Sequence, residues 1–103
     1  MRIYISGKIT GTTDYHLRFK QAELSLGLKG YEVINPAKIG AALKSSLPFD
    51  PEYDDYMLVD EHFLKKADAI YMMKGYEESA GAKHELMIAT QLGKEIIYEE
   101  VLP

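Results

Sequence analysis

The stretch Ala67–Leu92, A-D-A-I-Y-M-M-K-G-Y-E-E-S-A-G-A-K-H-E-L-M-I-A-T-Q-L, most narrows what this chain can become. Its first part, Ala67–Met73, holds no turn former and reads as a buried strand. Lys74–Ser79 is a loop, and the residues after it are apolar at Ala82, Leu86, Ile88, Ala89 and Leu92, the spacing of a helix that Gly93 stops. Glu85 falls on that apolar stripe, three residues before Ile88 and four before Ala89. A charge turned inward is costly unless it is paired or faces a cleft. A place near a helix N-terminus favours the ionised form, and an inward, ionised carboxylate is suited to act as a nucleophile.

The rest of the chain repeats the alternation. Ile3–Ser6 is a short strand that ends in the glycine- and threonine-rich loop Gly7–Thr13, with Asp14 as N-cap of a helix over Tyr15–Leu28. Phe19, Ala22 and Leu26 share its inner face, Tyr15 leads in, and Gly30 ends it. Tyr31–Ile34 is a second strand closed by Asn35-Pro36, and Ala37–Leu43 a short helix. Lys44–Tyr53, with Ser45, Ser46, Pro48 and Pro51, reads as a mobile loop or lid. Asp54–Lys66 is helical, with Tyr56, Val59, Phe63 and Leu64 on one face and Asp60 in the middle of it. Glu95–Tyr98 is the last strand and Glu99–Pro103 a tail.

Strands alternating with helices predict an α/β class with a parallel sheet. Right-handed crossovers favour four strands in the order 2-1-3-4 with flanking helices, a small flavodoxin-like or Rossmann-like sheet, in a single domain over residues 1–103. The ligand crevice of such a sheet lies beyond the carboxyl ends of strands one and three. The Gly7–Thr13 loop and the start of the Glu85 helix meet there, and Asp60 approaches from the helix that enters strand three.

Asp60 and Glu85 are the chemically notable pair, since each carboxyl occupies an apolar stripe. A structural cap or a buried pair with a lysine is the plainer reading of either. The loop S-G-K-I-T-G is neither a full dinucleotide fingerprint nor a Walker A loop. On its own it is a glycine turn, with Lys8 solvated and Ser79 an N-cap. His16, His62 and His84 are scattered, show no metal spacing and read as solvated; no metal and no cofactor is expected.

Three segments together resemble the nucleoside 2-deoxyribosyltransferase superfamily, in its short phage and bacterial branch. They are I-Y-I-S-G-K-I-T-G near the start, D-E-H-F-L-K-K-A-D-A-I-Y-M-M in the middle, and G-Y-E-E-S-A-G-A-K-H-E-L near the end. The resemblance covers nearly the whole chain and implies N-glycosidic cleavage or transfer on 2′-deoxynucleosides or their 5′-monophosphates. It implies that Glu85 attacks C1′ of a 2-deoxyribosyl group, that Tyr4 hydrogen-bonds this glutamate, and that Asp60 assists at the leaving base. Ser6, Gly7, Lys8, Ile9, Thr10, Gly11, Tyr76, Ser79, Gly81 and Ala82 are implied to bind the substrate, the glycine loop and Ser79 by holding the sugar or a 5′-phosphate. The branch usually has proline in place of Lys8 and tryptophan in place of Tyr76. Transferases often have an acidic residue at the Ser79 position; a serine there is similar to the deoxynucleoside 5′-monophosphate N-hydrolases. The chain is shorter than members of either branch, so a homodimer or larger assembly is expected to complete the pocket.

Bulk properties limit the alternatives. The net charge of −4 argues against broad binding of nucleic-acid backbone. No apolar run approaches the roughly 20 residues of a membrane span. The absence of cysteine excludes disulfides, thiolate zinc sites and a cysteine nucleophile. With no signal peptide at the start, a cytoplasmic protein is expected. Two other classes stay open: a non-catalytic nucleotide-binding or sensing module, and an α/β interaction protein whose inward carboxylates are structural.

Overall fold

The strand β1 (Arg2–Ser6) lies at the centre of the molecule, because Ile3, Tyr4, Ile5 and Ser6 are buried on both of its faces. The computed structural model that shows this describes residues 1–99. β1 pairs with β2 (Glu32–Ile34) on one side and with β3 (Ala69–Met72) on the other, and β3 pairs with β4 (Glu95–Tyr98). All three pairings are parallel and the order is β2-β1-β3-β4, as the alternation predicts. The helices are α1 (Tyr15–Leu28), α2 (Pro36–Ser46), α3 (Tyr53–Lys65) and α4 (Ala80–Gln91), with one 3₁₀ turn at Tyr76–Glu78.

The period-two alternation of a strand splits the core in two. On one face Ile3, Ile5 and Ala69 pack with Phe19 and Leu26 of α1 and Ala37 of α2. On the other, Tyr4, Ile70 and Met72 pack with Leu64 of α3 and with Ala82, Ile88 and Ala89 of α4. A parallel sheet needs both faces covered in this way.

Several local expectations are corrected. The second helix begins at Pro36, and the Asn35 side chain caps it by accepting from the amides of Ala37 and Lys38 at 3.0 and 3.4 Å. Asn at N-cap followed by Pro at N1 is a helix start, not only a strand stop. The helix also runs past Leu43. Ser45 and Ser46 belong to its last turn, their hydroxyls donating back to the carbonyls of Ala41 and Ala42 without ending the helix. The long loop expected over residues 44–53 therefore shrinks to residues 47–52, and α3 begins at Tyr53, where the Glu52 amide donates to Asp55 Oδ2 at 2.8 Å. Asp14 stands at the N-cap of α1 without a side-chain capping bond. Leu92, assigned to the apolar stripe, is 48% exposed at the end of α4, because the helix finishes beyond the edge of the core. Of the expected tail only Glu99 is described; residues 100–103 lie outside the described part.

Candidate active site

The order reversal between β1 and β3 opens a cleft at the carboxyl ends of these strands. Its volume is about 1060 Å³. Gly7, Lys8, Ile9 and Thr10 form one wall. Ser79, Gly81, Ala82 and Glu85 of the α4 side form another, and Asp60 opens into the same space from α3. Gly7 is required where β1 leaves the sheet, since a Cβ there would lie 3.0 Å from both Cβ and Sδ of Met73.

Glu85 is 7% exposed and sits on the buried side of α4. The dilemma of a buried or cleft-facing carboxylate resolves into both. One carboxyl oxygen accepts from the Ser6 hydroxyl at 2.7 Å and the other from the Tyr4 hydroxyl. Both donors come from β1, two residues apart and so on one face of the strand. Among the described residues, no lysine or arginine forms an ion pair with Glu85 or Asp60. Glu85 is thus held by neutral donors that orient it without cancelling its charge.

Burial pushes the Glu85 carboxyl up to about 7, against the downward pull of the Tyr4 and Ser6 hydrogen bonds and with added repulsion from Asp60. This corrects the expectation of a carboxylate held ionised by its helix. Glu85 is the sixth residue of α4, and the macrodipole fades within the first turn, so desolvation wins. Asp60 is likewise pushed up to about 7 by burial. Burial first, then the charges of Glu85 and Asp60 and the bond to Glu85, keep the Tyr4 hydroxyl protonated well above its ordinary range. The two acids thus titrate in the same range, with burial as the first cause for each and the charge of Asp60 adding to the rise of Glu85.

The remaining expected residues divide. Tyr4 and Ser6 lie beneath the cleft, bonded to Glu85, rather than along its walls. Gly11 is exposed, with φ of 82°, and does not line the cleft. Tyr76 does not line it either: its ring stands 5.9 Å from that of Tyr98 and packs on the α4 side of the core. The Ser79 hydroxyl accepts from the Ala82 amide at 3.1 Å and so serves as N-cap of α4. Lys8 is not solvated alone, since its Nζ lies 2.9 Å from Glu78 Oε2. The three histidines are exposed, although His16 borders the cleft, and among the described residues no acidic or histidine cluster could hold a metal.

Sequence reasoning missed the far wall. Pro36, Ala37 and Gly40 of α2 line the cleft together with Tyr53, Tyr56 and Met57 of α3, and Gly40 lies directly against the Tyr56 ring. Tyr56 lines the cleft and not the core, although a cleft-lining apolar stripe and a core-lining one have the same period. The Asn-Pro helix start was the usable signal that α2 would stand beside this space.

The fold and cleft define a small α/β protein with the deoxyribosyltransferase-like arrangement of sheet and helices. A solved structure of a 2-deoxyribosyltransferase from the psychrotolerant bacterium Bacillus psychrosaccharolyticus is similar to it, with a TM-score of 0.71 and 19% sequence identity. The match covers 100% of this chain and 77% of that one. The chain belongs to the family described as Domain of unknown function (DUF4406), whose model matches residues 1–98. No curated protein matches it. Among the described residues no helix is long and apolar enough to cross a membrane.

Proposed function

We propose that this protein cleaves the N-glycosidic bond of 2′-deoxynucleosides or their 5′-monophosphates, with Glu85 as nucleophile. The observation that carries the reading is the buried Glu85 carboxyl, oriented by two hydroxyls, unpaired with any cation among the described residues, and open to a cleft that also holds Asp60.

In the state with one of the two acids protonated, ionised Glu85 and neutral Asp60 divide the work. A Glu85 oxygen bonds to C1′ as the C1′–N bond breaks, and the bonding pair leaves with the base. Asp60 gives the base its proton and becomes a carboxylate. Water then attacks C1′, the bond to Glu85 breaks and restores its carboxylate, and Asp60 takes the proton from that water. The oxocarbenium-like transition states are stabilised by the Glu85 charge, and a sugar without the 2-hydroxyl reaches them more readily. Tyr4 and Ser6 keep Glu85 aimed at one point. Ser79, where transferases often carry an acidic residue, favours water over a second base as acceptor. Tyr53 and Tyr56 line the same cleft and supply aromatic surface beside which a base would sit.

The test is incubation of the wild-type protein with each deoxynucleoside and each 5′-monophosphate, followed by chromatography for free base. Release from at least one compound is expected. Calorimetric binding without release would make the protein a nucleotide-binding module instead, and no binding at all would support a protein-interaction role.

A further inference from the structure

The cleft carries a cation that is already answered from within the chain. Lys8, on the loop after β1, and Glu78, on the 3₁₀ turn before α4, both line the cleft and meet at 2.9 Å. The two ends are unequal. The Lys8 side chain is 29% exposed and the Glu78 side chain 71%. Lysine therefore belongs to the wall, while the carboxylate reaches in from an exposed side chain at the rim.

We infer that Glu78 occupies the place of a substrate anion on Lys8, and that a 5′-phosphate enters this cleft only by exchanging with the Glu78 carboxylate. The inference rests on the proposed nucleotide cleavage for its ligand class, but not for its geometry. An exposed ion pair is weak and open to exchange, whereas a phosphate offers Lys8 more charge and more acceptors than a carboxylate does. The same Glu78 charge, left beside an arriving phosphate, repels it. The Lys8 hydrogen bond and charge hold the Glu78 carboxyl below its ordinary range, so the competitor stays ionised at neutral pH. Glu78 is joined directly to Ser79, the N-cap of α4, and Ala80 and Gly81 of that helix start border the same cleft. Moving the Glu78 side chain aside leaves these elements in place around the anion. The residue then sets the preference between phosphorylated and unphosphorylated substrates without touching the reacting bond.

The experiment compares wild type, Glu78→Gln and Lys8→Ala by calorimetry with a deoxynucleoside and its 5′-monophosphate, and by amide NMR with inorganic phosphate. Glu78→Gln is expected to raise the monophosphate-to-nucleoside affinity ratio about fivefold, the size of one exposed charge contact. It is also expected to strengthen the phosphate-induced shifts in the loop after β1, and Lys8→Ala to abolish them. A ratio that is unchanged or lowered in Glu78→Gln overturns the inference, since Glu78 would then be a bystander or a support for Lys8. If neither nucleoside nor nucleotide binds any variant, the proposed cleavage fails, and the phosphate titration alone decides the exchange: stronger shifts in Glu78→Gln uphold it and equal shifts overturn it.

Discussion

The two faces of β1 are equally buried and do different work. Ile3 and Ile5 point into an apolar layer against α1, where nothing but packing is asked of them. Tyr4 and Ser6 point the other way and meet Glu85 on α4. Neighbouring residues on one strand therefore belong to a stabilising core and to a polar site that costs stability. The same sheet supports both because a two-residue period keeps the hydroxyls together and away from the isoleucines. The apolar face holds the strand still, and the polar face uses that stillness to aim a carboxyl.

The largest expected effect on stability tests the apolar face. Phe19 is 1% exposed and packs against that side, so Phe19→Ala should cost about 3–5 kcal/mol of unfolding free energy in urea titration. That is a large share of the roughly 5–15 kcal/mol available to a domain. A loss below about 1 kcal/mol would mean that this layer is not the support described.

The polar face should show the opposite sign. A carboxyl raised from 4.5 to about 7 by folding binds its proton more tightly in the native chain than in the unfolded one. Its contribution to stability is complete below pH 4.5 and is lost as pH rises toward 7. At 1.36 kcal/mol per unit this amounts to about 3 kcal/mol. Glu85→Gln removes the titration, so its stability relative to wild type should improve by about that much between pH 4.5 and pH 8. A difference that does not change with pH would show that burial does not strain Glu85.

A smaller effect sharpens the contrast within the polar face. Tyr4→Phe removes a donor that pulls the Glu85 value down, so Glu85 should ionise at higher pH. Base release should fall by about 10- to 100-fold near neutrality, and the acidic limb of the pH–rate profile should move upward. A lower rate with an unmoved limb would assign Tyr4 to packing alone.

The sheet order and the inward turn of Glu85 were legible because both follow from periodicity, which is local. The face shared by Tyr4 and Ser6 is equally periodic, but which helix it meets depends on sheet packing, and the bond to Glu85 came from the family resemblance. The ionisation of Glu85 was misjudged because a helix end is visible in sequence and desolvation is not. The Lys8–Glu78 pair joins residues 70 positions apart, and no local pattern announces it. The α2 wall was hidden by reading Asn35-Pro36 as an ending when it is also a beginning.

The central claim is that Glu85 is the reacting group, and it is tested most directly by the rate of base release from Glu85→Gln beside wild type. The comparison uses the best substrate of the panel, with the variant first shown to be folded by its thermal transition. The account predicts a loss of at least about 10⁴-fold, because it assigns the bond to C1′ to Glu85 and only the proton at the base to Asp60. A folded Glu85→Gln protein that releases base at the wild-type rate would contradict it.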